Sequence, residues 1–70
     1  MRIVITGATG YVASILIPEL IRHNHKLLLV SRNTKDLKYK YPHLQICEYA
    51  KLAHYGKNFD IFINLAVINN

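Results

Sequence analysis

The chain is poor in the residues that staple, kink or anchor a protein. It has one cysteine among 70 residues, Cys47, so no internal disulfide can form. That usage fits a reducing compartment. Three glycines and two prolines exclude collagen-like and linker-like classes, and no internal repeat is visible. No apolar run approaches the roughly 18 residues of a membrane span. The apolar stretch after Arg2 is broken by Thr6 and Gly7 and lacks a small-residue cleavage pattern, so it does not read as a secretion signal. The expectation is a cytoplasmic protein with no membrane partner. Acids are also scarce, four against nine Lys and Arg, for a net charge of +5. Such an excess raises nucleic acid as a partner. The basic residues are scattered from Arg2 to Lys57, however, and the aromatics do not interleave with them. The one concentration, Arg32 to Lys40, reads as a solvated loop, so no nucleic acid is expected; part of the excess could serve an anionic cofactor.

What is present is globular: 51% hydrophobic and 19% charged residues. At this length one domain at most is expected, burying only about 60% of the surface its unfolded form exposes. Arg2–Thr6 is a β-branched run closed by Gly7, and its continuous hydrophobicity suggests a strand covered on both faces. From Tyr11 to His23 the period becomes helical, with Val12, Ile15, Leu16 and Leu20 on one face and Ala13, Ile17 and Ile21 widening it. Pro18 removes one hydrogen bond there and should bend the helix near Ser14. Asn24 stands where a left-handed residue ends a helix. Lys26–Val30 is a second apolar strand. Asn33–Lys40 has weak helical character, ended by Tyr41–Pro42. Leu44–Glu48 is a shorter strand, Ala50–Lys57 about two turns of helix stopped around Gly56, and Asp60–Val67 a fourth buried strand.

This alternation predicts an α/β fold. Right-handed crossovers give a four-stranded parallel sheet of order 3-2-1-4 with covering helices, a partial Rossmann fold. Ligands of such sheets bind at the carboxyl ends of the strands, where the winding reverses. Thr6, Ser31, Glu48 and Leu65 fall at those ends.

The most informative stretch is Thr6–Gly7–Ala8–Thr9–Gly10–Tyr11–Val12–Ala13, set between a strand and a helix. Gly7 lets the chain leave the strand in a conformation that side chains resist. Gly10, without a Cβ, lets a diphosphate approach the backbone, and the amides around Gly10, Tyr11 and Val12 point at it from the positive end of the helix. Ala13 stands where a small residue allows the helix to pack closely on the strand. A glycine turn can also merely join a strand to a helix; the buried strands and the amphipathic helix around it favour the cofactor reading.

The spacing Gly7, Gly10, Ala13, with Thr6 before it, resembles the T-G-x-x-G-x-x-G/A fingerprint of the short-chain dehydrogenase/reductase superfamily. The run from Thr6 to Val12 is similar to its extended and atypical branches, the NAD-dependent epimerase/dehydratase group. Asp60–Ile61–Phe62–Ile63–Asn64–Leu65–Ala66 resembles that family's fourth strand. Ala13 departs from the glycine usual in extended members and matches atypical ones. The resemblance covers Met1 to about Val67. It implies a dinucleotide cofactor held by Gly7, Thr9, Gly10, Tyr11 and Val12, with Leu65 and Ala66 along the adenosine and ribose and Glu48 beside the adenine, where the family usually carries Asp.

An acid after the second strand selects NAD by binding the ribose hydroxyls. Here that place holds Ser31, followed by Arg32, and no acid occurs before Asp36. A hydroxyl and a guanidinium can instead hold a 2′-phosphate, so NADP is favoured over NAD. The alternative is that Arg32 only covers the sheet edge. Cys47 reads as a core residue, not a nucleophile.

The family's catalytic Tyr and the Lys four residues later have no counterpart. Residues four after Tyr11, Tyr39, Tyr41, Tyr49 and Tyr55 are Ile15, His43, Gln45, Ala53 and Phe59. No catalytic residue is expected, and His23, His25, His43 and His54 lack metal-ligand spacing. The expectation is the N-terminal, truncated part of an NAD(P)-binding Rossmann domain from an epimerase, dehydratase or reductase, acting on nucleotide sugars in one version. The rival expectations are a non-catalytic NAD(P)-binding module and a homo-oligomer whose bare strand Ile61–Ile68 pairs with another chain.

Overall fold

The computed structural model describes residues 1–66. Strand β1 (Arg2–Thr6) leads through the glycine turn into helix α1 (Tyr11–Arg22), then β2 (Lys26–Val30), α2 (Lys35–Lys40) and β3 (Gln45–Cys47). A 3₁₀ turn (Tyr49–Lys51) runs into the short helix α3 (Leu52–Tyr55), followed by β4 (Ile61–Asn64). The four strands form one parallel sheet of order β3-β2-β1-β4. The parallel α/β sheet of order 3-2-1-4 is as the sequence predicts. Strands β3 and β4 are shorter than the predicted Leu44–Glu48 and Asp60–Val67. Val67 and the rest of the expected bare edge to Ile68 lie outside the described residues.

β1 and β2 occupy the centre and are buried on both faces after their first residue, as parallel strands are. Alternate side chains then build two cores. Ile3, Ile5, Leu27 and Leu29 meet Ala13 and Ile17 of α1 and Leu37 of α2. Val4, Leu28, Val30 and Cys47 point the other way, against Leu52 and Phe59.

Two expectations about faces need correcting. The buried stripe of α1 runs through Ala13 and Ile17, while Val12 is 58% and Ile15 55% exposed. The small Ala13, fully buried, lets the helix axis come close to the sheet, and the stripe centres on the point of closest approach. β4 is not a buried strand either. Its residues alternate between half-buried and exposed, with Phe62 57% exposed. It pairs on one side with β1, and α3 is too short to cover its outer face.

α1 continues through Pro18 and ends at His23. Asn24 takes φ +63°. Its amide donates to the Ile21 carbonyl (2.9 Å) and the His25 amide to that of Leu20 (3.1 Å). That is the Schellman pattern expected of a left-handed residue after a helix. It returns the chain directly into β2, where the Lys26 amide bonds Met1 O at 2.9 Å.

Candidate functional site

The carboxyl ends of the strands meet at the glycine turn. Gly7 has φ +69°, a conformation that favours glycine. A Cβ there would lie 2.5 Å from the Ala66 nitrogen and 2.6 Å from the Leu65 carbonyl carbon. Its missing side chain therefore makes room for the chain leaving β4. That segment is tied down twice more. The Leu65 amide donates to the Thr6 carbonyl (3.0 Å), and Asn64 Oδ1 accepts both the buried Thr6 hydroxyl (2.7 Å) and the Ala66 amide (3.0 Å). Leu65 and Ala66 are thus brought against the turn.

Gly10 is different. Its backbone is extended (φ −75°, ψ 169°), and a Cβ would meet only the Gly7 carbonyl at 3.4 Å, an ordinary contact. The space over Gly10 is open. The turn closes through Gly10 N to Gly7 O (3.1 Å), and the first helical bond runs from Ser14 N to Gly10 O (3.1 Å). The amides of Tyr11, Val12 and Ala13 precede that bond and have no partner within the helix. No side chain caps α1, and its first turn carries no acid. Thr9, Gly10, Tyr11 and Val12 are exposed. An open glycine, uncapped amides and a helix start with no acid in its first turn together fit an anion such as a diphosphate.

On one side of the turn a cavity of about 150 Å³ separates Thr9, Gly10 and Ser14 from Asp36, Lys40 and Tyr41 of the α2 region. At the end of β2, Ser31 is 4% exposed, and its Oγ accepts the Asn33 amide at 3.3 Å. That bond uses the oxygen as acceptor and leaves the O–H able to donate. Arg32 next to it is exposed, and among the described residues it has no ion-pair partner. The Ser31 amide donates to the Cys47 carbonyl (3.2 Å), which sets the exposed Glu48 beside the end of β2. Cys47 is buried, and burial pushes its thiol up from the ordinary 9.0. A thiol held protonated in the core is a packing residue, not a nucleophile.

Two participants take roles that the sequence does not announce. Tyr49 accepts the Gly7 amide on its phenol oxygen at 3.2 Å across 42 positions. Asn64 belongs to the fourth-strand motif, yet its position as the acceptor joining β1 to the chain after β4 emerges only from the β1–β4 register, which sets Thr6 opposite it.

Among the described residues no cluster of three or more His, Cys, Asp or Glu is placed to hold a metal ion, and no helix is long and apolar enough to cross a membrane. The model of the NAD dependent epimerase/dehydratase family matches residues 3–70, nearly the whole chain. No curated protein and no solved structure matches the chain significantly.

Proposed function

The chain belongs to the NAD-dependent epimerase/dehydratase family, and on that premise we propose that residues 1–70 are the N-terminal, diphosphate-gripping part of an NAD(P)-binding Rossmann domain. The observation that carries this is the start of α1, where open space over Gly10 coincides with the uncapped amides of Tyr11 and Val12 and a first helical turn without an acid. Those amides would donate to the diphosphate, and the positive end of the helix would hold its charge. Thr9 and Gly10 would line the approach, and Gly7 would fix the turn. Leu65 and Ala66 would border the adenosine side, with Glu48 near the base.

NADP is favoured over NAD. What supports this is the exposed Arg32 after β2, with no acid until Asp36. A guanidinium can bind a 2′-phosphate bidentately. Ser31 Oγ accepts the Asn33 amide, and its O–H would remain able to donate to the same phosphate.

A nicotinamide cofactor held this way supplies a hydride donor or acceptor. The chain's own part is to bind and orient it by the adenosine-diphosphate end. The 70 residues contain no Tyr-x-x-x-Lys pair, so the proton transfer of an epimerase, dehydratase or reductase falls to groups other than these. A nucleotide-sugar substrate is the finer form of the proposal.

Titration of the folded chain with NADPH and NADH, followed by nicotinamide fluorescence, tests the proposal. NADPH is expected to bind more tightly, and Arg32→Ala to weaken NADPH roughly tenfold while leaving NADH nearly unchanged. Equal and negligible binding of both by a folded sample would refute it.

A further inference from the structure

The hydrogen bond from the Gly7 amide to the Tyr49 phenol oxygen (3.2 Å) links two parts of the site that the sheet leaves separate. Gly7 belongs to the turn after β1, and Tyr49 opens the 3₁₀ turn after β3; in the sheet β2 lies between those strands. Among the described residues it is the one side-chain hydrogen bond from the segment after β3 to the glycine turn.

Both ends are held. Gly7 is pressed from the β4 side by Leu65 and Ala66, and its carbonyl accepts the Gly10 amide. Tyr49 is fixed at its backbone by the 3₁₀ turn, where the Lys51 amide donates to Glu48 O (3.0 Å) and that of Leu52 to Tyr49 O. The residue is still 39% exposed, at the carboxyl edge where the strand ends converge. A residue placed only to fill the core would not leave that much of itself in solvent, nor place its oxygen on the amide of the glycine that sets the turn.

We infer that Tyr49 is a positioning residue of the nucleotide site: by accepting the Gly7 amide, its hydroxyl holds the glycine turn in the orientation that aims the α1 amides at a ligand. This rests on the dinucleotide reading above. Gly7 is itself partly exposed, so water can satisfy its amide when the phenol is removed. The hydroxyl therefore matters little to the fold. It matters to binding, because donors already in place spare the ligand the cost of ordering them.

Tyr49→Phe, which keeps the ring, and Tyr49→Leu, which removes it, separate the roles. In each variant NADPH affinity, the urea midpoint, and the ¹⁵N–¹H shift and hydrogen exchange of the Gly7 amide are measured. Tyr49→Phe is expected to shift the Gly7 amide, speed its exchange and weaken NADPH roughly three- to tenfold, with the urea midpoint nearly unchanged. Tyr49→Leu should weaken binding at least as much. NADPH binding by Tyr49→Phe equal to wild type overturns the inference, as does an unchanged Gly7 amide. So does a loss seen only in Tyr49→Leu, which would make the ring's surface the active feature. Failure of the wild-type chain to bind NADPH removes the dinucleotide reading itself, and this inference with it.

Discussion

The two faces of the sheet are built from the same two central strands, yet they are covered unequally. Toward α1 and α2, eight buried residues among those described form one cluster, ringed by Leu20, Tyr41, Leu44, Ile46, Ile61, Ile63 and Leu65. Toward α3 there are four, with only Leu52 and Phe59 packed beside them, and Phe62 of β4 stands largely in solvent. Side chains strictly alternate along β1 and β2, so the difference comes from the helices. α1 has 12 residues and α3 has four. The lesson concerns the site as much as the fold. The glycine turn is the start of α1, so the candidate ligand grip is mounted on the more heavily packed face.

Leu28 and Leu29 provide the sharpest test of that inequality, since they are neighbours on one strand, both fully buried, on opposite faces. Leu29→Ala should cost about 3–5 kcal/mol in urea unfolding, because the thick face cannot collapse around the cavity. Leu28→Ala should cost about 2–3 kcal/mol, since Leu52 and Phe59 are freer to move in. Equal losses would erase the distinction between the faces. Phe62→Lys, on the uncovered part of β4, should change stability by less than about 0.5 kcal/mol. A loss above about 2 kcal/mol would mean that the outer face of β4 is covered after all.

The smallest effect is expected from pH. Burial raises the Cys47 thiol above its value in the unfolded chain. The unfolded state then ionises first, so the stability this group contributes is complete below about pH 9 and is lost as pH rises through the higher folded value. The stability difference between wild type and Cys47→Ala should narrow as pH is raised past that point. A constant difference would place the thiol in contact with water and make the thin face wetter than described.

Much of this organisation is legible in the residues, and the limits are physical. Continuous apolar runs fix β1 and β2 because strands covered on both faces need no polar alternation. Gly7 and Ala13 are legible because their roles are local: a positive φ and a close packing. Asn24 is legible for the same reason. The α1 face is not, because Val12 and Ile15 satisfy helical periodicity as well as Ala13 and Ile17 do, and only contact with the sheet chooses between them. Periodicity is equally silent on β4, where exposure depends on the length of α3. Tyr49 carries no pattern of its own; its meaning comes from a partner 42 residues away.

The central claim is that the turn holds a dinucleotide's phosphates, and the contrast between its two glycines tests it most directly. Gly10→Ala places a methyl group where the structure meets it only at 3.4 Å and where φ is −75°, so stability should change by less than about 1 kcal/mol. On the dinucleotide reading, the same methyl would narrow the approach to the α1 amides. NADPH binding by the folded Gly10→Ala chain, measured beside its urea midpoint, should fall at least tenfold on an order-of-magnitude estimate, with the midpoint nearly unmoved. NADPH affinity equal to wild type in that folded variant would contradict the account.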